Sequence, residues 1–380
     1  MPLTHDVAVV GLGAMGAATL YQLAKRGLSV VGIDRHHPPH DHGSSHGETR
    51  ITRQAVGEGA DYVPLVKRSH VIWRELEQAT GMSLFVQCGG LVVGRLDGGP
   101  QGFLRATVDV AQRYGIDHRM LDREALAARF PQFIGLGPDD IAYFEPGAGY
   151  VHPEACIEAQ LREAGRLGAE IRTGIVAHGI VQEGGTVRVE TDGEPIIASR
   201  LVSAAGAWTA GLLGEPFDRL LRVTRQSLYW FAPEDPSLYA VANGFPIFIR
   251  AFGAKSDEFS YGFPTPAGSA GVKIATEGED AVDIADYRPG PAIPDPDAFH
   301  RQFVAGRLAG VTSRLIRSLS CVYTSTADGR FIIDTHPRMD RVTVVSACSG
   351  HGFKHSAAIG ECVAERVGAA LRLAPFALPA

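Results

Sequence analysis

Two glycine-marked stretches, one near each end of the 380-residue chain, carry residue types suited to holding an anion. Near the C-terminus, Ser346 to Glu361 reads SACSGHGFKHSAAIGE, after the strand-like run RVTVVSA and before the last helix-like segment. A plain helix start needs only a cap such as Ser349. Gly350, Gly352 and Lys354 add more: the glycines let a ligand approach exposed backbone N–H groups, and the lysine supplies a compact positive charge. Near the N-terminus, the apolar run DVAVV leads into GLGAMG, with Gly11, Gly13 and Gly16. The amphipathic stretch AATLYQLAKRG follows, then a second apolar run, SVVGID, ending at Asp34. Strand, glycine turn, helix, strand and acid is the order of a dinucleotide-binding βαβ unit. Gly11 permits the tight turn, Gly13 lets the backbone approach a pyrophosphate, Gly16 allows close helix packing, and Asp34 can accept a hydrogen bond from a ribose hydroxyl.

This unit serves NAD and FAD alike. Three features favour FAD. GSSHGETRITRQ, from Gly43 to Gln54, follows the second strand with a polar loop carrying Arg50 and Arg53, where an NAD fold would continue with its next βα unit. RLVSAAGAW, from Arg200 to Trp208, reads as a buried strand re-entering the nucleotide sheet after a long excursion. The C-terminal loop then adds a third contact. A site assembled from separated segments suits a long, extended FAD; an NAD-dependent dehydrogenase would leave the later segments without a role.

The elements that must position these loops follow from periodicity. VPLVKRSHVIWRELEQATG and PEACIEAQLREAGRLGAEI carry helical spacing, the latter running on into a strand, and Val187–Val189 with Ile196–Ile197 read as a hairpin. From about Leu220 to Ser320 the pattern is strand-like, in SLYWFA, PIFIRAF and FSYGFP, with a helix near DAFHRQFVAGRL. The fold class is α/β: an FAD-binding Rossmann-like domain of discontinuous segments (1–85, 150–218 and 320–380) and a mixed β-sheet substrate domain (86–149 and 219–319). With no lysine or arginine run and a net charge of −6, nucleic acid is not an expected partner. No apolar run spans a bilayer and no leader precedes the first strand, so a cytoplasmic location is expected. Cys88, Cys156, Cys321, Cys348 and Cys362 form no C-x-x-C pair, and no metal site is expected.

Taken together, VVGLGAMG, GSSHGETRITR, GEGADYVPL, SAAGAW, YGFP, CVYTSTADGRFIIDTHP and SGHGFKHS resemble, in order and spacing, the monomeric sarcosine oxidase and N-methyltryptophan oxidase flavoenzymes. These belong to the wider glycine-oxidase and D-amino-acid-oxidase fold group, and the resemblance covers nearly the whole chain. It implies a monomer that oxidises the secondary amine of a small amino acid with O2, giving an imine and H2O2. It also implies an FAD held covalently by a cysteine at the position of Cys321, which on residues alone reads as a buried structural thiol. A thiolate there calls for cationic neighbours. Cofactor contacts are expected from Gly11, Gly13, Ala14, Met15 and Gly16, from Asp34 and Arg35, and from Ser45, Thr49 and Arg50. Later segments add Ala205, Gly206 and Trp208, then Cys321, and finally Gly350, Gly352, Phe353 and Lys354.

The resemblance makes Arg53 and Lys354 a carboxylate clamp and places Lys273 over the flavin to activate oxygen. Arg50 and His46 fall beside the flavin, and Tyr323 and Tyr261 line the substrate pocket. On residues alone, Arg53 is a surface ion-pair former, Lys354 a solvated helix-start lysine, Lys273 a strand lysine facing water, and the tyrosines are packed aromatics. The chain also departs from the pattern: sarcosine-specific members carry a histidine where Glu277 stands, an aromatic residue where His355 stands, and a different stretch at IFIRAFGAKSDEF. The pocket edge is altered, so a bulkier N-methyl amino acid or a cyclic one such as pipecolate or proline is an alternative substrate.

Overall fold

The run VAVV has no polar face, and His5–Val10 accordingly lies in the parallel centre of a mixed sheet, with Val7 to Val10 buried. In the computed structural model, which describes residues 5–98, 102–253, 258–278, 280–292 and 295–367, this strand pairs in parallel with Val30–Asp34 and Ile196–Ser203. Glu170–Thr173 extends the sheet beyond Val30–Asp34. On the other side the sheet forks: the start of Ile196–Ser203 pairs with Thr186–Thr191, and its end pairs in parallel with Met339–Ser346. The hairpin and the re-entering strand expected from the sequence are both present.

Helices Ala14–Lys25, Val63–Thr80, Pro153–Arg166 and Ser356–Arg366 cover one face of this sheet. The first and last cross closely because Gly360 has no side chain: a Cβ there would stand 2.4 Å from the Ala18 carbonyl carbon. The last helix corrects one expectation. Ser349 does not cap it; the helix starts seven residues later at Ser356, after a 3-10 turn over Phe353–His355. Ser349 instead sits at φ 40° and donates its backbone N–H to Thr324 O at 2.9 Å.

The second sheet has eight strands, in the order Val311–Ser325, Arg222–Pro233, Val272–Ala275, Phe259–Gly262, Ile247–Ala251, Gly90–Arg95, Asp140–Glu145 and Arg119–Leu121. Only the Ile247–Ala251/Gly90–Arg95 pair is parallel, so the sheet is mixed. Side-chain alternation divides its faces. Tyr229, Phe231, Val272 and Ile274 face a core with helices Arg123–Arg129 and Pro296–Phe303. Leu228, Trp230, Ala275 and Cys321 cluster on the other side. Arg50–Thr52, Gly149–Val151 and Phe85–Val86 form a separate three-stranded sheet. Among the described residues no helix is long and apolar enough to cross a membrane.

Candidate functional site

The strands His5–Val10, Ile196–Ser203 and Met339–Ser346 run parallel, so the loops after their C-terminal ends converge. They border a cleft of about 820 Å³. Gly11 makes the first turn at φ 87°, where a Cβ would meet Ala204 O at 2.5 Å. Gly16 packs the helix onto that turn, since a Cβ there would lie 1.7 Å from Gly11 O. Gly13 leads into helix Ala14–Lys25 with no side-chain cap, and Gly13, Ala14 and Met15 all line the cleft. First-turn N–H groups without a cap are suited to a phosphate group. A Cβ at Gly13 would approach only Ser45 Oγ, at 3.8 Å, so this glycine keeps the cradle open.

Asp34 also lines the cleft, but it is already engaged. Its carboxylate accepts the Leu12 and His36 backbone N–H groups, both at 2.8 Å, and lies 3.5 Å from His40 Nε2. Burial opposes its charge, yet these hydrogen bonds outweigh burial and hold the carboxyl below its ordinary range. Arg35 stacks over the Trp208 ring at 5.2 Å, and both line the same end with Ala205 and Gly206. Ser45, Arg50, Tyr323, Gly350, Gly352 and Phe353 line the cleft as well. An open glycine cradle, an uncapped helix start and walls from three strand ends fit an extended dinucleotide cofactor.

The second sheet sets the far end of the site. Because Val272 and Ile274 face the helix-covered core, Lys273 between them faces the site, buried to 2% exposure. Its ammonium donates to Gly47 O at 2.6 Å, Thr49 O at 2.9 Å and Thr49 Oγ1 at 3.2 Å. Burial, reinforced by Arg50, pushes its pKa well below the ordinary lysine value. Thr49 is therefore fully buried as a partner of Lys273 and does not line the cleft. The loop is pinned from its other side by Glu154, whose Oε1 accepts the Gly47 and Glu48 N–H groups at 2.6 and 3.1 Å.

Tyr261 and Tyr323 place their hydroxyls 3.4 Å apart. Burial raises the pKa of both, keeping them neutral. Cys321, two residues before Tyr323, is buried and absent from the cleft lining. It has the cationic neighbours a thiolate calls for, but burial outweighs Arg50 and Lys273 and its pKa is raised, not lowered. His46 is buried with Nε2 unpartnered, and burial together with Arg50 lowers its pKa to about 4, so it is a neutral imidazole. Arg50 donates to Ser44 O at 2.7 Å and Thr49 O at 2.9 Å.

Arg53 and Lys354 do converge, but on a residue not singled out from the sequence. Glu58 accepts from Arg53 Nη2 through Oε2 at 2.6 Å and from Lys354 Nζ through Oε1 at 3.3 Å. Burial opposes the Glu58 charge, while Arg53 and then Lys354 outweigh it and hold the carboxyl well below its ordinary range. Lys354 is lowered to about 8 by burial, against the upward pull of Glu58. Neither cation lines the cleft or is solvated: Arg53 is 2% and Lys354 5% exposed. Glu58 lies between Gly57 and Gly59 in GEGADYVPL, but no strand or helix pattern beside it marks that loop as a site. A carboxylate five residues after a buried arginine was the available signal.

Residues 6–366 match the FAD dependent oxidoreductase family, in line with the reading of FAD over NAD. The chain is 35% identical over 366 residues to the monomeric sarcosine oxidase of Bacillus sp. (strain B-0618), covering 95% of this chain and 92% of that protein. It is 32% identical over 364 residues to the N-methyl-L-tryptophan oxidase of Salmonella heidelberg (strain SL476), covering 96% and 94%. Among solved structures, it is similar to the open form of NikD, an unusual amino acid oxidase essential for nikkomycin biosynthesis, with a TM-score of 0.82 and 23% identity. That match covers 99% of this chain and 98% of the other and concerns the fold alone.

Proposed function

The chain belongs to the FAD dependent oxidoreductase family, and from that premise we propose that it oxidises the secondary amine of a small N-methyl amino acid. The products are an imine, which water splits to an amine and an aldehyde, and H2O2. Bound FAD would accept the two electrons of the C–N oxidation as a hydride equivalent and pass them to O2. The observation that carries the reading is the pair Arg53 and Lys354, drawn from opposite ends of the chain onto the two oxygens of one carboxylate. A guanidinium and an ammonium so arranged recognise a substrate carboxylate that takes the place of Glu58. Tyr261 and Tyr323, neutral and half-buried, line the space for the amine. Lys273, whose pKa burial holds low, is positioned to stabilise negative charge as it develops on oxygen, which lowers that barrier electrostatically.

The FAD-binding unit is assigned to 1–85, 150–218 and 320–380 and the substrate unit to 86–149 and 219–319. The two sheets support this division, although the strand Val311–Ser325 stays in the second sheet past residue 320. Covalent attachment through Cys321 rests on the likeness to the monomeric sarcosine oxidases; burial raises its pKa, and Arg50 and Lys273 offset that only in part. In Cys321→Ala, the flavin should separate from the chain on denaturation. The substrate reading is tested by anaerobic titration with sarcosine, a bulkier N-methyl amino acid, L-pipecolate and L-proline. Bleaching of the flavin's visible absorbance by an N-methyl amino acid supports the reading; bleaching only by the cyclic acids moves the substrate class, and no bleaching overturns it.

A further inference from the structure

We propose that Glu277 selects substrates with a second positive charge beyond the reacting amine, so that the preferred substrate is a basic N-methyl amino acid. This rests on the oxidase reading above and deepens it to a substrate class.

The backbone around Glu277 is fixed. Thr276 Oγ1 donates to Phe259 O at 2.7 Å. Gly278 donates its N–H to Gln226 Oε1 and accepts from Gln226 Nε2, both at 2.8 Å. Gln226 is itself buried and lies opposite Cys321 in the paired strands. Glu277 therefore projects from a rigid position at the end of the strand that carries Lys273.

Its carboxylate reaches the pocket edge at Gly350. A Cβ on Gly350 would stand 3.0 Å from Glu277 Oε1 and 3.0 Å from the Tyr323 ring, so these three residues form one rim. Tyr323 leads inward to Tyr261 through their hydroxyl contact. Lys354 lies four residues beyond Gly350, with Arg53 on the same carboxylate. The charge of Glu277 is felt by Tyr261, Tyr323 and Lys354 alike.

Charge is thus divided: Arg53 and Lys354 lie buried on Glu58 and off the cleft lining, while Glu277 is an exposed carboxylate at the rim beside Tyr323. A substrate whose carboxylate meets Arg53 and Lys354 extends its remaining groups towards Glu277. A cationic tail is attracted there, a neutral tail gains nothing, and an anionic tail is repelled. Because the rim carboxylate is exposed, the preference over a neutral tail of equal length should be about fivefold, the upper range for a solvated ion pair.

The test compares kcat/KM, read by H2O2 release, for Nα-methyl-lysine, Nα-methyl-norleucine and N-methyl-glutamate in the holoenzyme, Glu277→Gln and Glu277→Lys. The expected lysine-to-norleucine ratio is about five in the wild type. It should collapse towards unity in Glu277→Gln, invert in Glu277→Lys, and shrink with added salt in the wild type. A ratio near unity in the wild type, or one that survives both substitutions, overturns the proposal. Turnover of Nα-methyl-norleucine without a basic preference sinks this inference alone. If none of the three bleaches the flavin anaerobically while sarcosine does, the inference falls and the oxidase reading stands; if sarcosine and the cyclic acids fail as well, both fall.

Discussion

The nucleotide end of the cleft and the proposed reaction end hold charge by opposite means. At the nucleotide end the recognition groups are backbone: a helix start without a side-chain cap, a glycine turn, and an acid that ties the turn through Leu12 N–H. At the reaction end they are side chains of both signs, each already answered from within: Lys273 by two carbonyls, Arg53 and Lys354 by Glu58. Backbone recognition depends on the absence of side chains and is intolerant of additions. Side-chain recognition depends on charges kept paired until a ligand replaces the partner, and it responds in degrees.

The sharpest test of this contrast is Gly16→Val. With a Cβ already 1.7 Å from Gly11 O, the added side chain must push the helix off the turn. We expect destabilisation of at least about 3 kcal/mol and little retained flavin, read by thermal unfolding and by the absorbance of the purified protein. At the reaction end, Lys273→Met should slow reoxidation by O2 by about 10²- to 10³-fold while changing anaerobic reduction by amine far less, as stopped-flow traces of the two half-reactions would show. Equal slowing of both would remove the electrostatic role.

Arg53→Ala should raise KM by about 10²-fold with a smaller change in kcat, since on the proposed clamp it removes one of two charges that hold the substrate carboxylate and leaves Glu58 with one partner. An unchanged KM would break the clamp. Glu58→Gln should act in the other direction, tightening binding of a simple carboxylate inhibitor by about tenfold because the internal competitor loses its charge. The smallest effect is on pH. Lys354 is charged below its pKa of about 8 and neutral above it, so inhibitor affinity should be present at low pH and fall a fewfold as pH rises through 8. In Glu58→Gln that midpoint should move lower, because the pull of Glu58 that raises it is gone. A spectral titration across pH reads both.

The same contrast decides what was legible in the sequence. Gly11, Gly13 and Gly16 fall within six residues and signal one function through local geometry, so the first βαβ unit could be read directly. The sheet strands were legible from alternation, and Val272 and Ile274 flanking Lys273 show why that lysine faces the site. Its role came only through resemblance, because nothing local says that its partners are 224 and 226 residues away. Glu58 was missed for a related reason: a loop carboxylate becomes informative only once Arg53 and Lys354 are seen on either side of it. Ser349 stands where a cap for the last helix could be read, but the turn at Phe353–His355 separates it from the helix and leaves no comparable trace in the sequence.

Lys273 also has a mechanical consequence. It reaches from the second sheet to carbonyls in the loop that follows the first, so one ammonium keys together two parts of the molecule with separate cores. Wear at that joint, from substitutions far away that let one sheet slide on the other, would show itself as sluggish use of oxygen well before the protein came apart.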